Sequence, residues 1–260
     1  SMRPFFMSIV SDSNHWMFIS SNGGLTAGRK NAEFALFPYY TDDKITESYD
    51  STGSKSIFQI RWNNEIKIWE PFSERFSDNI YAISRNLYKN LHGNKVIFEE
   101  INHDLQITFR YQWNSSHQYG FVRKSELINH SNFDYQISFV DGIQNIMPYG
   151  VSSDLQNAAS NLVDAYKRSE LDAETGVGIY ALSAIIVDKA EPSEALKANI
   201  VWSLGLQKPN YLVSSLQLST FRKKQPVVPE FDVKGEKGAY FLSSEILLPK
   251  NSKQNWMIIA

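Results

Sequence analysis

The chain has 260 residues, of which 42% are hydrophobic and 13% aromatic; this is ample for a folded core and excludes general disorder. Its 26 basic and 28 acidic side chains are mixed along the sequence and give a net charge of −2, so we expect no nucleic-acid partner. The lack of cysteine excludes disulfides and thiolate chemistry; it favours the cytoplasm, and a periplasmic protein is compatible with it.

Residues 15–44 form the most informative segment. An apolar, strand-like start leads to Asn22-Gly23-Gly24, and a small-residue loop then carries Arg29 toward a second aromatic cluster closed by two aspartates. Adjacent glycines permit backbone conformations that other residues rarely adopt. Aromatic rings beside acids and amides are typical of a sugar-binding surface, since sugars offer CH-rich faces and hydroxyl groups. An ordinary hairpin whose aromatics fill the core would show the same pattern.

Period-two alternation predicts strands along much of the chain. Residues 105–113 alternate fully between apolar and polar positions, and residues 58–62 and 196–204 repeat the pattern with Ile200, Trp202 and Leu204 on the apolar side. Residues 180–187 are apolar on both faces except for Ser183, and they indicate a central, doubly covered strand. Turn sequences at 63–64, 92–94 and 131–132 separate such runs. The spacing predicts a mainly β fold, a large antiparallel two-layer β-sandwich with few short helices.

Two segments are helix candidates. Apolar positions in residues 154–166 recur at helical spacing, with Ser153 or Asp154 as the N-cap. A strand over residues 162–169, paired with the 178–187 run, explains the same residues equally well, and the sequence leaves both open. Residues 209–218 are a weaker helix candidate.

No catalytic motif is present. The five histidines lack metal-ligand spacing, and no P-loop or nucleophile elbow occurs, so we expect no metal, no cofactor and no catalytic residue in this chain. Glycoside chemistry needs two carboxylates at a defined separation. Glu99 and Glu100 are neighbours on a predicted strand and therefore point to opposite faces. Asp42 and Asp43 are better explained as acids that cap a loop.

The loop between two strand ends is short enough that both ends should return to one rim of the sandwich. We therefore expect Asn22–Gly24, Arg29 and Asp42–Asp43 to gather there, with Arg29 pairing with either aspartate. Trp16, Tyr39 and Trp69 flank loops rather than lying in mid-strand, which makes them candidates for a sugar platform, although core packing is the better explanation for any one of them alone. The candidate carbohydrate or interface contacts are Trp16, Asn22, Arg29, Tyr39, Asp42, Asp43 and Trp69.

The order of short sequence motifs along the chain resembles that of a known family. It comprises Asn22-Gly23-Gly24, Arg29, Asn31, Phe37-Pro38-Tyr39, Asp42-Asp43, Gly53, Trp69-Glu70-Pro71-Phe72, Phe98-Glu99, Tyr119-Gly120-Phe121-Val122-Arg123, Leu127-Ile128-Asn129 and Asp141 through Gly150. Over residues 15–205 it resembles the N-terminal β-sandwich domain of glycoside hydrolase family 94 and its relatives, the cellobiose and chitobiose phosphorylases, formerly glycosyltransferase family 36. The family has a Trp-rich loop after the glycine pair, where this chain has Thr26-Ala27-Gly28-Arg29.

The resemblance implies a galactose-mutarotase-like sandwich followed by a helical linker and an (α/α)6 barrel, which carries the family's catalytic Asp and phosphate site. No segment here maps to that barrel, and the apolar run 256–260 stops without a turn. We therefore expect residues 1–260 to be one domain, the N-terminal part of a larger protein. The implied partners are an oligosaccharide, the barrel of the same chain and a second copy in a homodimer. No membrane partner is expected, since no apolar run reaches spanning length.

Three functions follow. The first is a non-catalytic, carbohydrate-associated domain of a glycoside phosphorylase-like or hydrolase-like enzyme. The second is a free-standing carbohydrate-binding module. The third is a mutarotase-like sugar epimerase, which would need His103 or His117 to converge with Glu99 or Glu100.

Overall fold

The computed structural model describes residues 3–75, 80–184 and 197–260, except for the side chain of Asp42. This part contains four α-helices: α1 Asp42–Glu47, α2 Ser153–Ala158, α3 Ser160–Tyr166 and α4 Leu218–Arg222. Short 3-10 helices span Ala32–Phe34 and Ser48–Asp50. The strands are β1 Phe6–Ile9, β2 His15–Ser20, β3 Leu25–Arg29, β4 Ala35–Phe37, β5 Gly53–Trp62, β6 Glu65–Trp69, β7 Ile83–Lys89, β8 Lys95–Asn102, β9 Ile107–Ser116, β10 Gly120–Asn129, β11 Tyr135–Ile146, β12 Lys167–Leu171, β13 Gly178–Leu182, β14 Asn199–Leu204, β15 Asn210–Leu212, β16 Asp232–Lys234, β17 Gly238–Leu248 and β18 Ser252–Ile259.

These strands form three antiparallel sheets. A nine-stranded sheet has the order β16-β12-β13-β14-β18-β10-β9-β8-β7. A five-stranded sheet has the order β15-β17-β11-β5-β6, and β1 to β4 form a four-stranded sheet in chain order. The prediction of a mainly β protein built from large antiparallel sheets is confirmed.

Aromatic rings hold the two larger sheets together. Phe109 of β9 lies 5.0 Å from Phe58 of β5, and Trp256 of β18 stacks on Phe139 of β11 at 4.8 Å. All four side chains are at most 1% exposed. The four-stranded sheet joins the same core through Phe37, whose ring meets Trp113 edge-on at 6.0 Å. One continuous apolar core therefore lies between the layers.

Residues 105–113 have the predicted orientation, because Leu105 and the inward side chains of β9 are buried. The prediction for residues 196–204 chose the wrong face. In β14 the core-facing side chain is Val201, which is fully buried, whereas Ile200 and Leu204 are 48% and 55% exposed. Alternation identifies two faces of a strand, but the partner sheet decides which face is buried. Leu196 lies outside the described residues.

The predicted turns are present. Asn63 and Asn64 both have positive φ, 46° and 66°, in the two-residue hairpin between β5 and β6. Residues 92–94 join β7 to β8 in a second hairpin. Residues 131–132 separate β10 from β11, but these two strands belong to different sheets. The Asn129 side chain fixes that crossing by donating to the carbonyl oxygens of Phe133, Leu248 and Pro249.

Residues 153–171 contain both kinds of structure that the sequence left open, a helical part followed by a strand. Helices α2 and α3 cover residues 153–166, and the N-cap is Ser152, whose hydroxyl accepts from the Leu155 N–H. Strand β12 then begins at residue 167 and pairs with β13. That partner strand ends at residue 182; residues 185–187 of the predicted 180–187 strand lie outside the described residues. The helix predicted over 209–218 is wrong, since β15 occupies 210–212 and α4 begins only at 218.

Candidate functional site

The Asn22-Gly23-Gly24 turn between β2 and β3 is built for close packing against α1. The Asn22 amide donates to the Thr46 carbonyl at 2.9 Å, and its oxygen accepts from the Gly24 N–H. Gly23 has φ +95°, and a Cβ on Gly24 would lie 2.0 Å from the Ile45 carbonyl oxygen. Asn22 therefore bonds within the fold and joins the turn to the helix.

Arg29 lies at the opposite end of β3 from that turn. Five residues of strand separate its ends by about 13 Å. The Arg29 guanidinium packs instead against Gly120, where a Cβ would lie 2.8 Å from Nη2. The predicted gathering at one rim is therefore wrong for Arg29, although Asn22 and α1 do meet. In the described part of the chain no ion pair joins Arg29 to Asp43, and the side chain of Asp42 lies outside the described residues.

Trp16 and Tyr39 lie on the outer side of the four-stranded sheet. The Trp16 ring lies over Gly28, where a Cβ would approach it to 2.6 Å, and its Nε1 donates to the Asn31 carbonyl at 3.2 Å. Tyr39 meets Trp16 edge-on at 5.8 Å, and both Tyr39 and Phe18 are 42% exposed. These rings, which we call the aromatic surface (Trp16, Phe18 and Tyr39), are accessible and held in place.

Asp42 and Asp43 are the first two residues of α1, with Thr41 as the N-cap. Acidic residues in the first turn complement the partial positive charge of a helix N-terminus. The exposed Asp43 also lines a shallow depression next to Phe18 and Tyr39. The aspartate is thus next to the aromatic surface, as a sugar-binding interpretation requires.

Trp69 is not a surface residue. It is 1% exposed, and its indole Nε1 donates to Glu100 at 2.8 Å. Its ring packs against Phe58 in the core. The sequence prediction of a sugar contact at Trp69 is therefore wrong, because the segment that follows it folds inward and Glu100 also accepts from the Phe72 N–H.

Glu99 and Glu100 do point to opposite faces of β8, and each carboxylate accepts hydrogen bonds and pairs with an arginine. Glu100 binds the Arg85 guanidinium at 2.8 Å. Glu99 accepts from Asn86 and Tyr88 and pairs with Arg110. Burial raises the pKa of Glu99, but these hydrogen bonds and the arginine charge outweigh it and hold the pKa below its ordinary value of 4.5. His103, one of the two histidines that the epimerase alternative would need, bonds to the Ser84 hydroxyl instead.

A more enclosed site lies where the end of β3 approaches β14, an inner strand of the nine-stranded sheet. It is a cleft of about 510 Å³, within the usual range of small-ligand sites. Five aromatic side chains line it: Phe34, Tyr119, Phe121, Tyr149 and Trp202. Phe34 and Tyr119 are 36% and 53% exposed, so their rings are accessible from the cleft. We call this site the cleft.

Polar groups border these rings. Arg29 and Lys30 line the cleft from the end of β3, together with the amides of Asn14, Gln118 and Asn199. The Lys30 ammonium lies 5.2 Å from the centre of the Phe34 ring. Rings combined with cationic and amide donors can bind the apolar faces of a ligand and its hydroxyl groups together.

Sequence reasoning found one residue of the cleft, Arg29, and missed its rings. Phe34, Tyr149 and Trp202 come from three distant segments, and only the packing of the sheets brings them together. Trp202 carried the available signal, because the alternation of residues 196–204 placed it on a distinct apolar face. That face was assigned to the core, whereas β14 directs it toward the cleft.

The described residues contain neither a candidate metal cluster nor a membrane-spanning helix. Among residues 3–75, 80–184 and 197–260 there is no group of three or more histidine, aspartate and glutamate side chains that could hold a metal ion. None of the helices in these same ranges is both long and apolar enough to cross a membrane.

Comparison with known proteins adds little. No family model and no curated protein matches the sequence. Among solved structures the chain is similar to 4-alpha-glucanotransferase from Thermococcus litoralis, with a TM-score of 0.38 and 11% identity over 99% of this chain. It spans 39% of the length of that enzyme. A likeness at this level supports no conclusion about the fold or the function.

Proposed function

We propose that this chain is a non-catalytic, carbohydrate-associated β-sandwich domain of a glycoside phosphorylase-like or hydrolase-like enzyme, and that it binds an oligosaccharide in the cleft. The observation that carries the proposal is the combination of five aromatic rings with cationic and amide donors in one concave site of about 510 Å³. The aromatic surface lies near one end of the cleft, since Trp16 bonds to Asn31, three residues before Phe34.

The wider assignment rests on the order of sequence motifs that resembles family 94 sandwich domains. In that setting the reacting carboxylate belongs to the barrel, and the sandwich contributes binding surface to the barrel or to a second copy. The engaged states of Glu99 and Glu100 agree with this, since both carboxylates already accept several hydrogen bonds. A free-standing binding module would use the cleft in the same way; the residues encoded beyond position 260 separate the two.

The test is a titration of the chain with β-linked and α-linked oligosaccharides by isothermal calorimetry, in parallel with Trp202→Ala. Loss of a stacking ring at the centre of a binding site costs about 10- to 100-fold in affinity. Phe231→Ala is the matched control, because Phe231 is 53% exposed and does not line the cleft. Equal affinities for the wild type and Trp202→Ala, or no binding of any oligosaccharide, would contradict the proposal.

A further inference from the structure

A second, smaller pocket lies beyond the C-terminal end of β4, where Pro38 and Tyr40 line it. It has a volume of about 190 Å³ and is lined by α1, α2, α3, the end of β11 and the start of β12. The pocket shares no lining residue with the cleft. Met147 and Val163, both buried, supply its apolar floor. Electrostatic attraction is stronger beside such a floor than in bulk water.

Lys167 stands at an unusual position for a lysine. It is the first residue of β12, on the row whose other members, Ser169 and Leu171, face the core. Lys167 is itself only 5% exposed. Burying an ammonium group is costly unless partners compensate it, and an apolar residue would fill this row without that cost.

The compensation within the protein is incomplete. Lys167 Nζ lies 2.7 Å from Asp164 Oδ1, which satisfies one of the three N–H donors of the ammonium. Lys44 and Lys237 line the same pocket, so its described lining holds three ammonium groups and a single carboxylate. Burial lowers the pKa of Lys167, and the nearby Lys237 charge lowers it further, against the opposing effect of Asp164.

The remaining polar lining can also donate. Ser160, Asn157 and Asn161 contribute a hydroxyl and two amides from the helices. Tyr40 adds a phenol, whose pKa is raised by burial and which therefore stays protonated at neutral pH. Such donors suit an acceptor-rich anion.

We propose that this pocket binds a small anionic group, a phosphoryl or carboxylate group, with Lys167 as its central contact and Lys237 and Lys44 around it. An anion placed there would accept the free donors of Lys167 and relieve the repulsion between the ammonium groups. An ion pair that served only to fix the end of α3 would need neither of the two additional lysines. The proposal is independent of the oligosaccharide site, because the two pockets share no residue.

The test measures the thermal midpoint of the whole chain in phosphate, in citrate and in chloride at equal ionic strength. A ligand that binds the folded state with a millimolar dissociation constant should raise the midpoint by about 3–6 °C at tens of millimolar. A larger response to phosphate assigns a phosphoryl group and a larger response to citrate a carboxylate; either supports the site. No response to either anion beyond that in chloride would overturn it.

Substitutions of single lysines test whether the thermal response to anions arises at this pocket. Lys167→Met keeps the apolar stem and removes the charge, and it should abolish the response. Lys237→Gln, at an exposed position, should fold in any case and weaken binding by about 3- to 10-fold through the lost attraction. Lys124→Met removes an exposed lysine of β10 outside the pocket and should respond as the wild type does. An anion response of wild-type size in Lys237→Gln and in Lys167→Met would refute the assignment.

Discussion

Replacing Asp141 by asparagine should be among the most destabilising changes in this protein. Asp141 and Arg123 form an ion pair between β11 and β10, one strand from each of the two larger sheets, and both side chains are 0% exposed. Five hydrogen bonds reach the Asp141 carboxylate. They come from Arg123 Nη1 at 2.7 Å, Arg123 Nη2 at 2.8 Å, Ser56 at 2.6 Å, Ser125 at 3.0 Å and Trp256 Nε1 at 2.6 Å.

The expected loss of stability follows from the hydrogen bonds that an asparagine at position 141 cannot form. Its NH₂ group would face donors, so at least two of the five hydrogen bonds are lost, and the Arg123 charge stays buried without a carboxylate. Breaking a buried pair by changing one partner costs about 3–5 kcal/mol. For a chain of this size that corresponds to a fall of about 6–20 °C in the thermal midpoint.

Urea unfolding and thermal scans of Asp141→Asn provide the measurement. The control is Asp232→Asn, because Asp232 also receives two hydrogen bonds from one arginine, Arg168, but is 41% exposed, so that this variant should lose far less stability. Trp256→Phe removes one hydrogen bond and should lose about 1–2 kcal/mol, which keeps the test informative if Asp141→Asn does not fold. Losses within 1 kcal/mol of each other for the two Asp variants would refute the reasoning that burial sets the cost.

Three further changes have defined outcomes. Gly28→Ala puts a Cβ 2.6 Å from the Trp16 ring. The substitution should lower the free energy of unfolding by about 1–3 kcal/mol and change the tryptophan fluorescence. An unchanged fluorescence spectrum would contradict the packing of Trp16 over Gly28. Trp69→Phe leaves a Glu100 oxygen without its indole donor; urea unfolding should show a loss of about 1–3 kcal/mol. Because the pKa of folded Glu99 lies below 4.5, its contribution is complete above that pH and is lost on acidification. The stability gap between wild type and Glu99→Gln should therefore narrow below pH 4.5, and a gap independent of pH would contradict it.

The helix and strand candidates of residues 154–169 show where local pattern stops being decisive. The apolar spacing up to residue 166 is helical, and the structure has two helices there. The strand that was the rival prediction exists too, but it starts at residue 167, where the chain pairs with β13 on one side and with β16 on the other. The position at which the helix ends and β12 begins is set by pairing with β13 and β16, which the sequence of residues 154–169 does not include.

The sequence by itself determined the strands, the hairpin turns and the opposite orientation of Glu99 and Glu100, because these follow from side-chain periodicity and turn chemistry within a few residues. The tertiary structure alone decided which face of each strand is buried and which side chains converge. Val201 rather than Trp202 faces the core for this reason. Arg29 and Phe34 line the cleft together with Tyr149 and Trp202 because the packing of the sheets brings together segments that are more than a hundred residues apart in sequence. A local sequence pattern contains no information about such long-range proximity.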